Sequence, residues 1–200
     1  MKYYKTLIIV LLLMNCKSKV ENAEEKLNIS ENNTSFFVGT YTDTKSKGIY
    51  TYSLSNNGRI KKIKLAAKTA NPSFLTKSNN GAYLLAVNEV NSVDGMGTVE
   101  SYKITGDSLQ FINRQSSGGA HPCFVTLNDN GYVLTANYSS GTIGLLKMDA
   151  SGKLSDLLDT QDHNLNIDRA AHAHSAYFTS NNNFVSADLG TNELWFSTVD

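Results

Sequence analysis

Three of the chain's four histidines lie between His163 and His174. Histidine gains and loses a proton near neutral pH, so it serves as a base towards water or as a metal ligand. His172 and His174 form an alternating His-x-His, which on a strand sets both imidazoles on one side. Arg169 stands just upstream, a planar fork that stabilises an oxyanion or grips a phosphate. The same stretch, 155–173, also holds Asp156, Asp159, Asp162, His163 and Asp168, and it is longer than its counterparts elsewhere in the chain. Long loops with concentrated polar side chains tend to carry function. His-x-His is half of a metal site, but no second ligand cluster accompanies it, so neither a metal nor a cofactor is part of the reading. There is no Gly-rich phosphate loop, no Gly-x-Ser-x-Gly and no Cys-x-x-Cys, and Ser139 and Ser140 fall in a turn with no base partner in view.

These residues need elements to position them, and the elements repeat. Residues 120–149 read as strands over 123–127, 132–137 and 142–148. Asn128–Gly131 forms the first turn and a Ser-Ser-Gly turn the second. Thr40, Asn88, Asn137 and Asp188 close equivalent strands at intervals of 48, 49 and 51 residues. The preceding strand repeats as Asn71-Pro72-Ser73-Phe74, His121-Pro122-Cys123-Phe124 and His174-Ser175-Ala176-Tyr177. The chain's only two prolines occupy matching places. Asn57-Gly58, Gly106-Asp107 and Ser151-Gly152 mark further tight turns.

A period near 50 with short strands is the sequence form of a β-propeller, in which sheets stack face to face around an axis. A β-sandwich with incidental self-similarity is the competing reading. The co-occurring markers (a polar residue before the inner strand, an Asn/Asp-Gly turn and a strand-end Asn or Asp) favour the propeller. Inner strands of a propeller run along its axis, so Asn71, His121 and His174 are expected to converge at the channel mouth, a typical ligand site. Asn88, Asn137 and Asp188 are expected to cap turns through their side chains. Glu89 points into the channel or into water. Cys123 is read as a small packed residue, with a catalytic thiol as the alternative.

Composition sets outer bounds. An apolar content of 40 % and ten tyrosines suit a packed β protein. A formal charge of +0 gives no nucleic acid or basic membrane patch a footing. The repeats begin near Thr34 and stop at Asp200 inside an unfinished repeat, so further blades are expected after it. A half-ring that dimerises is the alternative, since an open blade face leaves strand edges unpaired.

The N-terminus reads as an address. Residues 1–15 carry Lys2 and Lys5 and then an apolar run over 7–14, the form of a signal peptide and too short to span a bilayer. Leu13-Met14-Asn15-Cys16 resembles a lipobox, which makes Cys16 the lipidated first residue of an exported, membrane-anchored chain. A leader cut elsewhere is the alternative. Residues 16–33 are polar and aperiodic and read as a tether, and 34–200 as the propeller domain. With Cys16 acylated, Cys123 has no disulfide partner.

Several motifs in order resemble one family. They are Val38-Gly39-Thr40-Tyr41-Thr42, Asn71-Pro72-Ser73-Phe74-Leu75, Val87-Asn88-Glu89, His121-Pro122-Cys123, Ala136-Asn137-Tyr138-Ser139-Ser140-Gly141, Arg169 with His172-Ala173-His174-Ser175, and Ala187-Asp188-Leu189-Gly190-Thr191-Asn192. The series, over about 35–200, resembles the lactonase family of seven-bladed propellers, whose members include 6-phosphogluconolactonase and carboxymuconate cyclase. The resemblance implies an all-β propeller of which this chain holds roughly the first three to four blades. It implies lactone hydrolysis at the channel mouth without a tightly bound metal, on a small-molecule lactone. The family's histidine falls on His174, as base or orienting group. Ala171 stands in place of the family's proline. Arg169, His172, His121, Asn71 and Glu89 are candidate substrate binders, and the family's principal arginines and glutamate would lie beyond Asp200. The substrate is 6-phosphogluconolactone by resemblance, or an unphosphorylated aldonolactone if the protein is exported. A non-catalytic surface-binding propeller and a muconate-type cyclase are the competing functions. The only expected membrane contact is the anchor at Cys16, and the full-length protein is expected to be a monomer.

Overall fold

The computed structural model describes residues 33–165 and 169–200, apart from the side chains of residues 92 and 93. The expected leader, Cys16, all but the last residue of the tether, and Asp168 lie outside the described residues. Among the described residues, fourteen strands form four antiparallel sheets, each a meander of sequential neighbours. The first sheet is β1 (Thr34–Val38), β2 (Gly48–Leu54) and β3 (Ile60–Lys68). The second is β4 (Leu75–Lys77), β5 (Tyr83–Val93), β6 (Met96–Thr105) and β7 (Ser108–Ser116). The third is β8 (Pro122–Leu127), β9 (Tyr132–Asn137), β10 (Thr142–Lys147) and β11 (Asp159–Asp162). The fourth is β12 (Ala173–Phe178), β13 (Asn183–Asp188) and β14 (Glu193–Thr198).

Alternation along the second strand of each sheet explains why the sheets stack. Successive side chains of a strand point to opposite faces. Leu84 and Ala86 of β5 pack with Ile49 and Tyr102 against the first sheet, whereas Leu85 and Val87 pack with Val125 and Val133 against the third. On β9, Val133 faces back, while Leu134 and Ala136 join Ala173, Ala176 and Phe184 of the fourth sheet. Each such strand is apolar on both faces because it has a sheet on either side. A fully buried aliphatic side chain contributes about 1.5–3 kcal/mol, so this sandwiching of blades is the main source of cohesion.

The expected turns are present. Gly131 closes the Asn128–Gly131 turn with a φ of 81°, and a Cβ there would come within 2.5 Å of the Met148 carbonyl, so glycine is required on both counts. One expectation is corrected. The stretch 155–173 is not a single loop, because Asp159–Asp162 pairs with β10 as the outer strand of its blade. Its Asp-Thr-Gln-Asp sequence lacks any apolar alternation, and an exposed outer edge does not demand one. Asp159 and Asp162 therefore sit at the blade's rim, away from the inner strands.

The second blade carries a buried polar network. Glu100 is 1 % exposed and accepts from Thr69 Oγ1 at 2.6 Å, from the Tyr102 hydroxyl and from both Nε and Nη2 of Arg114. Burial, followed by the Glu100 charge, pushes the Tyr102 hydroxyl far above its ordinary value. Removing one partner of such a pair strands a buried charge. Arg114→Met is therefore expected to lower unfolding free energy by about 3 kcal/mol, and adding Glu100→Gln to recover at least half of that loss. Urea midpoints of the two single variants and the double variant check this; simple additivity would show that the pair is not coupled.

Candidate functional site

The strand-end residues are scaffold, as their types suggest. Asn88 Nδ2 donates to the Ala70 carbonyl and to Thr69 Oγ1, both at 2.7 Å, and Asn88 Oδ1 accepts from Thr98 at 2.8 Å. Asn137 Nδ2 donates to the Ser117 carbonyl at 2.9 Å. Asp188 Oδ1 accepts the N–H of His172 at 2.9 Å, of Gly190 at 2.9 Å and of Thr191 at 3.0 Å. Each is buried, and each fastens the loop that enters the same blade to the end of its second strand. Burial pushes the Asp188 carboxyl up. The N–H groups of His172 and Thr191 and the His163 imidazole outweigh it, holding the group below the ordinary carboxylate value.

Above this clamp each blade presents three side-chain positions, and backbone hydrogen bonds define their equivalence. The residue after the strand end donates its N–H to the loop: Glu89 to Asn71 O, Tyr138 to His121 O and Leu189 to His172 O, each at 3.0 Å. Asn71 and His121 share a left-handed backbone, with φ of 40° and 52°. The match of His174 to Asn71 and His121 is therefore corrected: His172 fills that place. His174 instead matches Cys123 and Ser73, because a bulge between Ala173 and Ser175 repeats the one between Pro122 and Phe124. The interval of 51 from Asn137 to Asp188 leads from His121 to His172, so the spacing held this signal.

The candidates differ in what their side chains do. Asn71 Oδ1 accepts from the N–H and the hydroxyl of Thr42, at 2.7 and 2.9 Å, so it fixes the Tyr41-Thr42 segment rather than standing free. His121 Nδ1 lies 2.8 Å from Ser139 Oγ, which supplies the partner that the sequence did not reveal for that serine. His172 stacks on Tyr138 with ring centres 4.5 Å apart and 12° between planes. Its Nδ1 meets the Tyr138 carbonyl at 3.0 Å, so the neutral ring carries its proton there and keeps its Nε2 lone pair. His174 is exposed and stands edge-on to the same Tyr138 at 6.0 Å. The His-x-His pair thus shares one aromatic partner. Arg169 is exposed and, among the described residues, forms no ion pair or hydrogen bond. Among the described residues, no three His, Cys, Asp or Glu side chains gather as a metal cluster.

His163, the remaining histidine of the cluster, is fully buried. Its Nδ1 meets Asp188 Oδ2 at 2.9 Å and its ring stacks on Trp195 at 4.4 Å, so it belongs to the scaffold. Tyr41 was missed at the sequence level. It follows Thr40 as Glu89 follows Asn88, and its hydroxyl donates to Glu89 Oε2 at 2.8 Å. That bond, then burial and the Glu89 charge, raise the Tyr41 hydroxyl above its ordinary value, while the Ser73 hydroxyl pulls the other way. Cys123 is half-buried with its thiol 3.6–3.7 Å from the carbonyls of Ala136, Ala173 and His174. Burial, and then Glu89, push it up to about 11. The Glu89 charge is thus felt at the Cys123 thiol, and the Ser73 hydroxyl at Tyr41. A thiol protonated at neutral pH does not act as a nucleophile there.

Comparisons with known proteins agree with this architecture. A family model described as "Lactonase, 7-bladed beta-propeller" matches residues 35–200. The 6-phosphogluconolactonase of Bacillus subtilis (strain 168) is 35 % identical over 168 residues, covering 80 % of this chain and 47 % of that protein. The 6-phosphogluconolactonase of Formosa agariphila is 27 % identical over 173 residues, covering 78 % of this chain and 47 % of that protein. Among solved structures, the Pseudomonas aeruginosa periplasmic gluconolactonase superposes with a TM-score of 0.75 at 27 % identity, over 83 % of this chain and 50 % of that one. The chain spans about half the length of the curated relatives it matches.

The geometry around Cys123 makes a pH prediction. In a Cys16→Ser background, which leaves one thiol, iodoacetamide should modify Cys123 slowly at pH 7 and about tenfold faster per pH unit. The rate should level off only near about 11. Glu89→Gln should move the plateau to lower pH, since it removes a charge that opposes the thiolate. A plateau reached by pH 8 in the parent would contradict the enclosed, anionic wall.

Proposed function

Because the chain belongs to the lactonase family of seven-bladed β-propellers, we propose that it takes part in hydrolysis of a sugar lactone at the channel mouth, with His174 as the proton-transfer group. The observation that carries this reading is the pair of imidazoles, His172 and His174, held against one face and one edge of Tyr138. The exposed ring on the bulged inner strand can reach a water above the channel. The stacked ring, fixed by its Nδ1 contact to the Tyr138 carbonyl, offers Nε2 to a substrate hydroxyl.

The chemistry balances as follows. His174 takes a proton from water as the water oxygen bonds to the lactone carbonyl carbon. The resulting oxyanion needs a cation or hydrogen-bond donors, a role open to Arg169. The ring carbon–oxygen bond then breaks, and the proton passes from the imidazolium to the departing alkoxide. The product is the open-chain hydroxy acid, and its ionisation releases acid. His121 and Glu89 are substrate ligands in this reading, and Asn71 holds the segment beside them. 6-Phosphogluconolactone is the substrate suggested by the Bacillus relative, and an unphosphorylated aldonolactone the one suggested by the Pseudomonas relative.

Acid release from glucono-1,5-lactone and its 6-phosphate tests the reading. His174→Ala is expected to lower kcat on the order of 10²–10⁴-fold, the usual range for loss of a proton-transfer group. His172→Ala is expected to act mainly by raising KM. Near-normal turnover of His174→Ala removes it from the mechanism.

The N-terminal features support an exported protein carrying lipid at Cys16, and we propose separately that the full-length protein is a monomer. Labelling of cells with a radioactive fatty acid is expected to mark the parent protein, and Cys16→Ala to lose the label and leave the membrane fraction. Retention of label in that variant rules the anchor out.

A further inference from the structure

The wall around Glu89 differs in charge from the wall around the histidines. Glu89 is half-buried, and its N–H is tied to Asn71 O. Its Oε2 is occupied by the Tyr41 hydroxyl at 2.8 Å, and Tyr41 itself is 56 % exposed. The ion pairs among the described residues are Arg114–Glu100 and His163–Asp188, so no described cation neutralises Glu89. Asn71 secures the geometry from behind: its Oδ1 grips Thr42, next to Tyr41, and its Nδ2 approaches the Glu89 carbonyl at 3.4 Å. The neighbouring inner-strand side chains are Ser73 and Cys123, both neutral. By contrast, among the described residues neither the His172 nor the His174 imidazole is hydrogen-bonded to a carboxylate; His172 Nδ1 meets the Tyr138 carbonyl.

An ionised carboxylate accepts up to about four hydrogen bonds, and Tyr41 supplies one. What remains suits groups that only need an acceptor, such as the hydroxyls of a polyol chain. The same charge repels a phosphate brought to the same place.

We propose that the Tyr41–Glu89 pair is a specificity-determining clamp for the hydroxyl-bearing tail of a neutral sugar lactone, and that it selects against a substrate phosphorylated on that tail. The proposal rests on the lactone-hydrolysis reading above. Tyr41 is the positioning residue: it holds one carboxylate oxygen so that the other faces the substrate. The lactone carbonyl then lies towards His172 and His174, at the end of the site that favours developing negative charge.

The test compares glucono-1,5-lactone with its 6-phosphate in the parent, Glu89→Gln and Tyr41→Phe. For Glu89→Gln, kcat/KM on the neutral lactone should fall about tenfold through KM, and that on the phosphorylated lactone should rise, shifting the ratio about 30-fold or more. Tyr41→Phe, which keeps the ring and the charge, should raise KM for the neutral lactone by a smaller factor. Equal losses on both substrates, or losses confined to kcat, overturn the clamp. A parent that hydrolyses neither lactone defeats the hydrolytic reading instead. In that case protection of Cys123 from iodoacetamide decides the clamp separately. Gluconate should protect the thiol at lower concentration than 6-phosphogluconate, and Glu89→Gln should abolish that preference. Absence of protection by both acids, or equal protection, refutes it.

Discussion

The structure depends on one recurring hydrogen-bonded clamp. At the end of the second strand in the second, third and fourth sheets, a buried amide or carboxylate reaches back to the loop that enters the same sheet. Asn88 does so through the Ala70 carbonyl, Asn137 through the Ser117 carbonyl and Asp188 through the His172 N–H. A loop leaving one sheet for the next would otherwise bury unpaired backbone groups, each costing about 1–3 kcal/mol. The clamp satisfies them and fixes where the chain turns towards the axis. The residues after the strand end and at the start of the inner strand inherit their positions from it, so the site is built from the same bonds that hold the blades in order.

Much of this was legible in the sequence. The period near 50, the strand-end Asn or Asp and the Gly turns are local signals, and they translate directly into blades. Alternation on β5 and β9 was readable too, as continuous apolar runs between polar turns. The outer strand at Asp159–Asp162 was not, because an exposed edge imposes no apolar pattern on its residues. The division of labour among the histidines was hidden for another reason. His163, His172 and His174 sit close in sequence, yet one is in the core, one is stacked in the loop and one is exposed on a bulged strand. The place of His163 follows from the outer strand β11, and only the register of β12 on β13 separates His172 from His174; a bulge shifts register without leaving a compositional mark.

Within the site, function follows which residues are already committed. Asn71 spends its side chain on Thr42, so its contribution is to geometry. Tyr138 spends its carbonyl on His172 and its ring on two imidazoles, which makes it the organiser of the basic side. Glu89 spends one oxygen on Tyr41. The carboxylate of Glu89 and the two imidazoles on Tyr138 thus stand on different blades, and under the proposed clamp that separation is what would orient a lactone.

The inner-strand bulge has an evolutionary consequence. Cys123 and His174 each occupy the extra residue that the ladder skips, and Ser73 takes the matching place in the second blade. Since neighbours of the skipped residue such as Phe124 and Ala173 supply the buried core, while His174 is exposed and Cys123 packs only at the edge of that cluster, exchanging the skipped residue disturbs the packing less than exchanging its neighbours would. Adding or deleting one residue there would reverse every side chain downstream on that strand. These positions can therefore diversify freely by substitution while their segment lengths stay frozen. Relatives with different chemistry at the channel mouth should differ there in residue type and not in chain length.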